Sequence, residues 1–285
     1  MPPRAHLDPP QIAVVEAVGR ALAEDLLPLG DLTAALIPSG TAVKATFTSR
    51  EEGVVAGRAC VIETFAQLDR DIEIDWLLPD GSELSPGARV ALVSGPLAPI
   101  LSGERTALNF LRHLSGIASL TRRFVDLATS ASGGATTILD TRKTTPGLRA
   151  LEKAAVRAGG GANHRANLSD AVMIKDNHLA GMSIADAVSA ARRAWPGRPV
   201  HVECDDLEQL DAILATPADR AMVDNFTPDQ VAVAVGRVAG RMELEVTGGV
   251  TLDTVAAYAA ARPDFISVGA LTHSAGVVDL GLDLA

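Results

Sequence analysis

From residue 135 to residue 268 the chain repeats one pattern six times: a short apolar run, a polar corner, then a stretch with helical spacing. The runs are ATTILD, DAVMIK, RPVHVE, RAMVD, MELEV and DFISV, ending near residues 140, 174, 203, 223, 246 and 268. Successive ends lie 34, 29, 20, 23 and 22 residues apart, about the length a strand and its returning helix require. Helix starts are written at Ser183 with Asp186 three residues on, at Asp206 before Leu207, at Thr227 before Pro228 and at Thr251 before Leu252. The expectation is six parallel strands with helices between them, either closing towards a barrel or lying open as a doubly wound sheet.

Both folds place their chemistry just beyond the carboxyl ends of the strands, and here those ends are rich. In order they carry Thr141-Arg142-Lys143, then Lys175-Asp176-Asn177-His178, Glu203, Asp224-Asn225, Glu245 with Thr247-Gly248-Gly249, and Gly269-Ala270. A two-faced sheet would bring only some of these to a ligand at its switch point, whereas a barrel gathers all six at one mouth. The barrel is therefore the expected arrangement.

The first 117 residues are written differently. A helix is predicted from Pro10, with Ile12, Val15, Val18, Leu22 and Leu26 at helical spacing and Asp8 as its cap. Alternating runs VKATFTS, DIEIDWLLP and ARVALVS then predict a small antiparallel sheet, interrupted by a helix at ACVIETFAQL. Another helix is expected from near Ser102, with Leu108, Leu111 and Leu114 on one side. With 47% hydrophobic and only 3% aromatic residues, the core must be built largely of alanine, valine, leucine and isoleucine.

A formal net charge of -10 argues against nucleic-acid partners and makes any local cluster of cations stand out. Cys60 and Cys204 are too few for a disulfide framework or a zinc site, which fits a reducing cytoplasm. No signal peptide and no apolar run of roughly 18 residues is visible, so a soluble cytoplasmic protein is expected.

Arg142 offers a planar fork for carboxylate or phosphate, and Lys143 sets a compact charge beside it; the bland alternative is a solvated turn paired with Glu152. Three glycines precede His164 and Arg165 in GGGANHR, where the backbone can turn both side chains inward. Lys175 ends a buried run and needs an anion, either a ligand or an internal partner such as Glu203 or Asp224. Those two carboxylates end consecutive strands and suit either a hydrated magnesium ion or sugar hydroxyls. Thr247, Gly248, Gly249, Gly269 and Ala270 stand where backbone amides of a barrel meet phosphate. Asn177, His178, Asn225 and His273 are accounted for by capping and loop packing. The ligand expected at such an opening is strongly anionic, carrying phosphate and carboxylate beside a metal-compatible acidic patch.

SGERTALNFLRHLSGIAS, LDTRKTTPGLR, GGGANHR, MIKDNH, VDNF and FISVGALTHS, in this order, resemble quinolinate phosphoribosyltransferases. The resemblance runs from ALAEDLLPLGDLT to VVDLGLDL; Thr247 stands where that family commonly has serine. It implies an α/β fold: an incomplete six-stranded parallel α/β barrel over residues 118–271 and an N-terminal α/β sandwich over 1–117, rejoined by the tail 272–285. It also implies a homodimer with shared active sites, or a hexamer built from such dimers.

The roles implied are specific. Arg142, Arg165 and Lys175 would bind the carboxylates of quinolinate with His164 in the same pocket, and Arg105 would reach in from a second subunit. Lys143, Glu203 and Asp224 would serve phosphoribosyl pyrophosphate and its magnesium, with Lys143, Lys175, Glu203 and Asp224 as the catalytic set. Thr141 would contribute at the first turn, and Thr247, Gly248, Gly249, Gly269 and Ala270 would receive phosphate. The implied reaction is phosphoribosyl transfer to quinolinate with decarboxylation, giving nicotinate mononucleotide for NAD biosynthesis. Rival readings are a pyrophosphorylase-like protein of molybdenum uptake, a nicotinate-specific transferase, a Schiff-base aldolase using Lys143 or Lys175, and a non-catalytic phosphometabolite sensor.

Overall fold

The computed structural model describes residues 7–285. Packing divides the chain into two units: one holds the residues up to Arg122 with Thr144–Gly160 and Leu271–Ala285, the other Arg123–Lys143 with Gly161–Ala270.

In the first unit, helix α1 (Gln11–Leu26) buries Val14, Ala17, Val18 and Leu22 along one stripe. Its amino end falls at Pro10, without a side-chain cap. Asp8, two residues further out, lies beyond the positions from which a carboxylate caps the first turn, and it meets Arg58 at 3.4 Å instead. Strands β1 (Ala42–Ser49) and β2 (Gly53–Val54), helix α2 (Arg58–Leu68), and strands β3 (Glu73–Trp76), β4 (Glu83–Leu84) and β5 (Arg89–Pro96) follow. The C-terminal strand, Leu280–Leu284, pairs with β1 to complete a four-stranded antiparallel sheet. Phe47, Phe65, Ile100 and Leu111 meet in the core of this unit.

Helix α3 (Leu97–Ser132) starts directly after β5, earlier than the expected Ser102, and runs 36 residues through position 117. Gly116 does not end it, because the glycine serves packing: a Cβ there would stand 1.8 Å from the Gly276 carbonyl oxygen.

The six expected runs form β6 (Thr137–Leu139), β7 (Val172–Ile174), β8 (Val200–Cys204), β9 (Arg220–Asp224), β10 (Glu243–Thr247) and β11 (Phe265–Ser267). All pair in parallel, in the order β6, β11, β10, β9, β8, β7. The first strand thus joins the last, and the ring stays open between β6 and β7, which makes an incomplete barrel. Ala162 lies alongside the free edge of β6, bridging to Leu139 and bonding to Ile138 O at 2.9 Å.

Ser183, Asp206 and Thr227 cap their helices as expected, Thr227 in a reciprocal box with Gln230. Thr251 does not. It begins a turn whose amide bonds Thr254 Oγ1 at 2.9 Å, and the helix starts only after Thr254. The helix at Arg149–Ala158 packs with the first unit, although in sequence it stands between β6 and β7. Among the described residues no helix is long and apolar enough to cross a membrane.

Candidate active site

Alternate residues of the barrel strands face inward, and most of them are polar. On β8 they are His201 and Glu203, on β9 Arg220, Met222 and Asp224, and on β10 Glu243, Glu245 and Thr247; Ala221, Val223, Leu244 and Val246 fill the buried positions between. Side-chain direction alternates along a strand, so these sets climb the interior towards the carboxyl ends.

Above them opens a cavity of about 350 Å³, whose lining lies wholly in the second unit. Thr141, Arg142 and Lys143 reach it from the turn after β6, and His164 and Arg165 from the glycine-rich loop. Lys175, Glu203 and Thr247 come from the ends of β7, β8 and β10. The structure therefore gathers eight of the residues singled out in the sequence at one opening.

The loop carrying His164 and Arg165 is pinned. Fully buried Asp140, at the end of β6, accepts from the His164 backbone at 2.8 Å and from Asn163 Nδ2 at 2.5 Å. Arg165 donates through Nη1 to Ala171 O at 3.0 Å and through Nη2 to Met173 Sδ at 3.3 Å. Its guanidinium is thus oriented before any ligand arrives. Burial, and then the like charge of Arg142, hold the Arg165 guanidinium below its ordinary pKa. Two cations that repel one another in a half-dry pocket are a site prepared for an anion.

Lys175 takes Glu203 as its partner, so the internal ion pair foreseen as an alternative is present. Asp224 instead accepts from Asn225 Nδ2 at 2.9 Å, at the rim. Gly248 approaches it closely: a Cβ would lie 2.6 Å from Asp224 Oδ1 and 2.4 Å from Asn225 Oδ1, on a backbone with φ of +85°. Only glycine fits that corner. Gly248 and Gly249 both adopt positive φ, and neither they nor Asp224, Gly269 and Ala270 belong to the cavity wall itself. Arg105 is exposed on α3, in the first unit. Glu152, considered as a partner for the cations, is committed to His113 at 2.8 Å and to the Thr145 amide at 3.1 Å.

Among the described residues no group of three or more His, Cys, Asp or Glu side chains is arranged to hold a metal ion. Glu203 and Asp224 end adjacent strands and provide two carboxylates. That donor set fits magnesium carried largely by waters and substrate phosphate, rather than an ion caged by protein.

Several lining residues were given no role at the opening from the sequence. Leu168, Met173 and Met222 supply apolar wall, suited to an aromatic ring. His178, assigned to capping, does accept from the Lys175 amide at 3.0 Å, and it also borders the cavity. Glu245 is fully buried at the cavity floor. The alternation H-x-E, R-x-M-x-D and E-x-E-x-T was the available signal, since strands covered on both faces ordinarily read as continuous apolar runs.

Residues 31–115 match the model of the quinolinate phosphoribosyl transferase N-terminal domain, and residues 117–283 that of its C-terminal domain. The chain is 44% identical to the nicotinate-nucleotide pyrophosphorylase [carboxylating] of Mycobacterium leprae, over 95% of this chain and 97% of that one. It is 42% identical to a probable enzyme of the same name from Bacillus subtilis, over 90% of this chain and 88% of the relative. The solved structure of the nicotinate-nucleotide pyrophosphorylase from Francisella tularensis superposes with a TM-score of 0.92 at 39% identity, covering 98% of each chain. With both domain models matched in order and relatives this similar along nearly the whole length, the chain belongs to the quinolinate phosphoribosyl transferase family.

Proposed function

We propose that this chain transfers the phosphoribosyl group of phosphoribosyl pyrophosphate to quinolinate with loss of carbon dioxide, forming nicotinate mononucleotide and pyrophosphate for NAD biosynthesis. The observation that carries the reading is the pairing of a preset Arg165 with Arg142 over an apolar wall of Leu168, Met173 and Met222. A flat ring bearing two adjacent carboxylates satisfies both halves of that surface.

In this reading Arg142, Arg165 and Lys175 hold the two carboxylates of quinolinate, so that the ring nitrogen faces the ribose. Lys143 and the amides around Thr247, Gly248, Gly249, Gly269 and Ala270 receive phosphate oxygens, with Thr141 beside them. Glu203 and Asp224 would hold magnesium brought with phosphoribosyl pyrophosphate, and the ion would supply positive charge to the pyrophosphate. The nitrogen lone pair forms the new bond to C1 of the ribose as the bond from C1 to the pyrophosphate oxygen breaks. Glu203 and Asp224 lie at the adjoining strand ends, where negative charge favours the cationic character that C1 acquires. The bond from the ring to the 2-carboxylate then breaks: carbon dioxide leaves, its electron pair stays on the ring carbon as a carbanion stabilised by the adjacent quaternised nitrogen, and that pair takes a proton from solvent. What the protein supplies for this second step is alignment and exclusion of water from the carboxylate.

The active unit in this reading is a homodimer. Arg105 is exposed and stands outside the cavity wall of its own chain, so a second subunit is the source from which it would reach quinolinate. Mixing Arg105→Ala with Lys175→Ala subunits tests this, because in a mixed dimer with shared sites both defects fall in one site and leave the other intact. Recovery towards about a quarter of the wild-type rate is expected; two inactive variants that stay inactive after subunit exchange would refute it.

The reaction itself is tested by release of carbon dioxide from carboxyl-labelled quinolinate. Release must require phosphoribosyl pyrophosphate and magnesium, and nicotinate must not substitute for quinolinate. Turnover of nicotinate, or release without phosphoribosyl pyrophosphate, would overturn the assignment.

A further inference from the structure

Glu245 carries a carboxylate at the floor of an anion pocket, with no exposed surface. A buried charge needs partners, and it has two. Arg220 Nη1 donates to Glu245 Oε2 at 2.7 Å, while His164 Nε2 faces the same oxygen at 3.2 Å. Arg220 is itself fixed, by Glu243 at 2.8 Å through Nε and by the Phe265 ring, whose centroid lies 4.0 Å from the guanidinium carbon. A continuous line of charge therefore rises from the amino ends of β9 and β10 to the loop that carries Arg165.

The imidazole of His164 is the joint in that line. Its Nδ1 accepts from the Arg165 backbone N–H at 2.7 Å, so the neutral ring carries its proton on Nε2, the nitrogen turned towards Glu245. The other tautomer would set two donors against each other at Arg165. His201 packs edge-on against the ring, with centroids 5.5 Å apart, and limits its rotation.

We propose that Glu245 is a positioning residue: held by Arg220, its carboxylate selects the His164 tautomer, and this keeps the Arg165 backbone, and so its guanidinium, aimed at the ligand carboxylates. The proposal rests on the quinolinate reading above. Without the charge the ring proton is free to move to Nδ1, the bond to Arg165 is lost, and the loop must be reordered whenever quinolinate binds. The cost then falls on quinolinate and spares phosphoribosyl pyrophosphate.

Glu245→Gln keeps the shape and removes the charge. The expected result is a roughly tenfold rise in KM for quinolinate, the size of one lost positioning hydrogen bond, with KM for phosphoribosyl pyrophosphate changed by less than about twofold. In a His164→Asn background the same substitution should add less than about twofold. Glu245→Asp retains the charge for Arg220 but falls a methylene short of His164, so it should give the same selective rise with little change in Tm. Nitrogen-15 NMR of the imidazole, without substrate, should show the Nε2–H form in the wild type and its loss in Glu245→Gln. Equal rises in both KM values, a full tenfold effect without His164, or an unchanged tautomer would reduce Glu245 to a structural brace. A wild-type protein that does not turn over quinolinate would fail the substrate assignment, and the tautomer measurement would still decide the role of Glu245.

Discussion

His201→Gln should flatten the acid side of the stability profile. The wild-type ring is 7% exposed, and burial, followed by the positive charge of Arg220, lowers its pKa to about 4. Glu245 and Asp219 oppose this without reversing it. The unfolded chain titrates the same ring near its ordinary 6.5, so between those values the unfolded state binds more protons. Stability from this group is therefore complete above about pH 6.5 and declines as pH falls towards 4. Integrated from about pH 7.5 to about pH 5.5, the loss is about 1.3 kcal/mol, and it approaches about 3 kcal/mol at lower pH. Asp80 runs in the opposite sense: burial raises its carboxyl to about 6, so its penalty grows as pH rises through that range. Comparing wild type with His201→Gln cancels Asp80 and the other histidines, leaving the single difference. Urea unfolding at the two pH values measures it. Parallel pH dependences in the two proteins would show that His201 is not held neutral in the fold.

The remaining predictions address the rim, the pocket and the core. Gly248→Ala should cost about 2 kcal/mol and raise KM for phosphoribosyl pyrophosphate about tenfold, because its methyl collides with Asp224 and Asn225 on a left-handed backbone. Gly249→Ala, at φ of +60° with open space around the new Cβ, should cost only about 1 kcal/mol, so equal losses in urea titrations would refute the steric argument. Arg165→Lys loses the two-pronged grip and should lower kcat/KM for quinolinate by about 10- to 100-fold while the Tm stays near wild type; steady-state kinetics beside a thermal melt checks both. Cys60 and Cys204, buried with thiols pushed up to about 12, should react with a thiol reagent at neutral pH only after denaturation.

Much of the barrel was readable because its signals are local. Each strand is a short run ended by polar residues, and Ser183, Asp206 and Thr227 announce helices through bonds that span three residues or fewer. The misplaced boundaries share a cause. Thr251 and Asp8 have the right chemistry for caps, but a turn and a proline pair move the first helical residue out of their reach. Gly116, inside α3, is demanded by the carbonyl of Gly276, 160 residues further along the chain. No local pattern reports that contact.

The cations around the cavity were legible for a different reason than their partners were not. Arg142, Lys143, Arg165 and Lys175 stand out because an acidic chain has little other use for bases at apolar strand ends. Which acid each base meets depends on strand register: Lys175 could have faced Glu203 or Asp224, and the pairing of β7 with β8 decides for Glu203. Register also turns Glu245 from a strand-end residue into the floor of the pocket, by aligning it with Met222 on one side and Phe265 on the other. A carboxylate there is tolerated only because Arg220, one inward layer below, arrives with its own counter-ion Glu243. The alternating strands RAMVD and ELEVT already contain both halves of that arrangement. An isolated inward charge would argue against a buried strand, whereas two facing strands with opposite charges one layer apart argue for one, and for a network that spends stability to hold a pocket in shape.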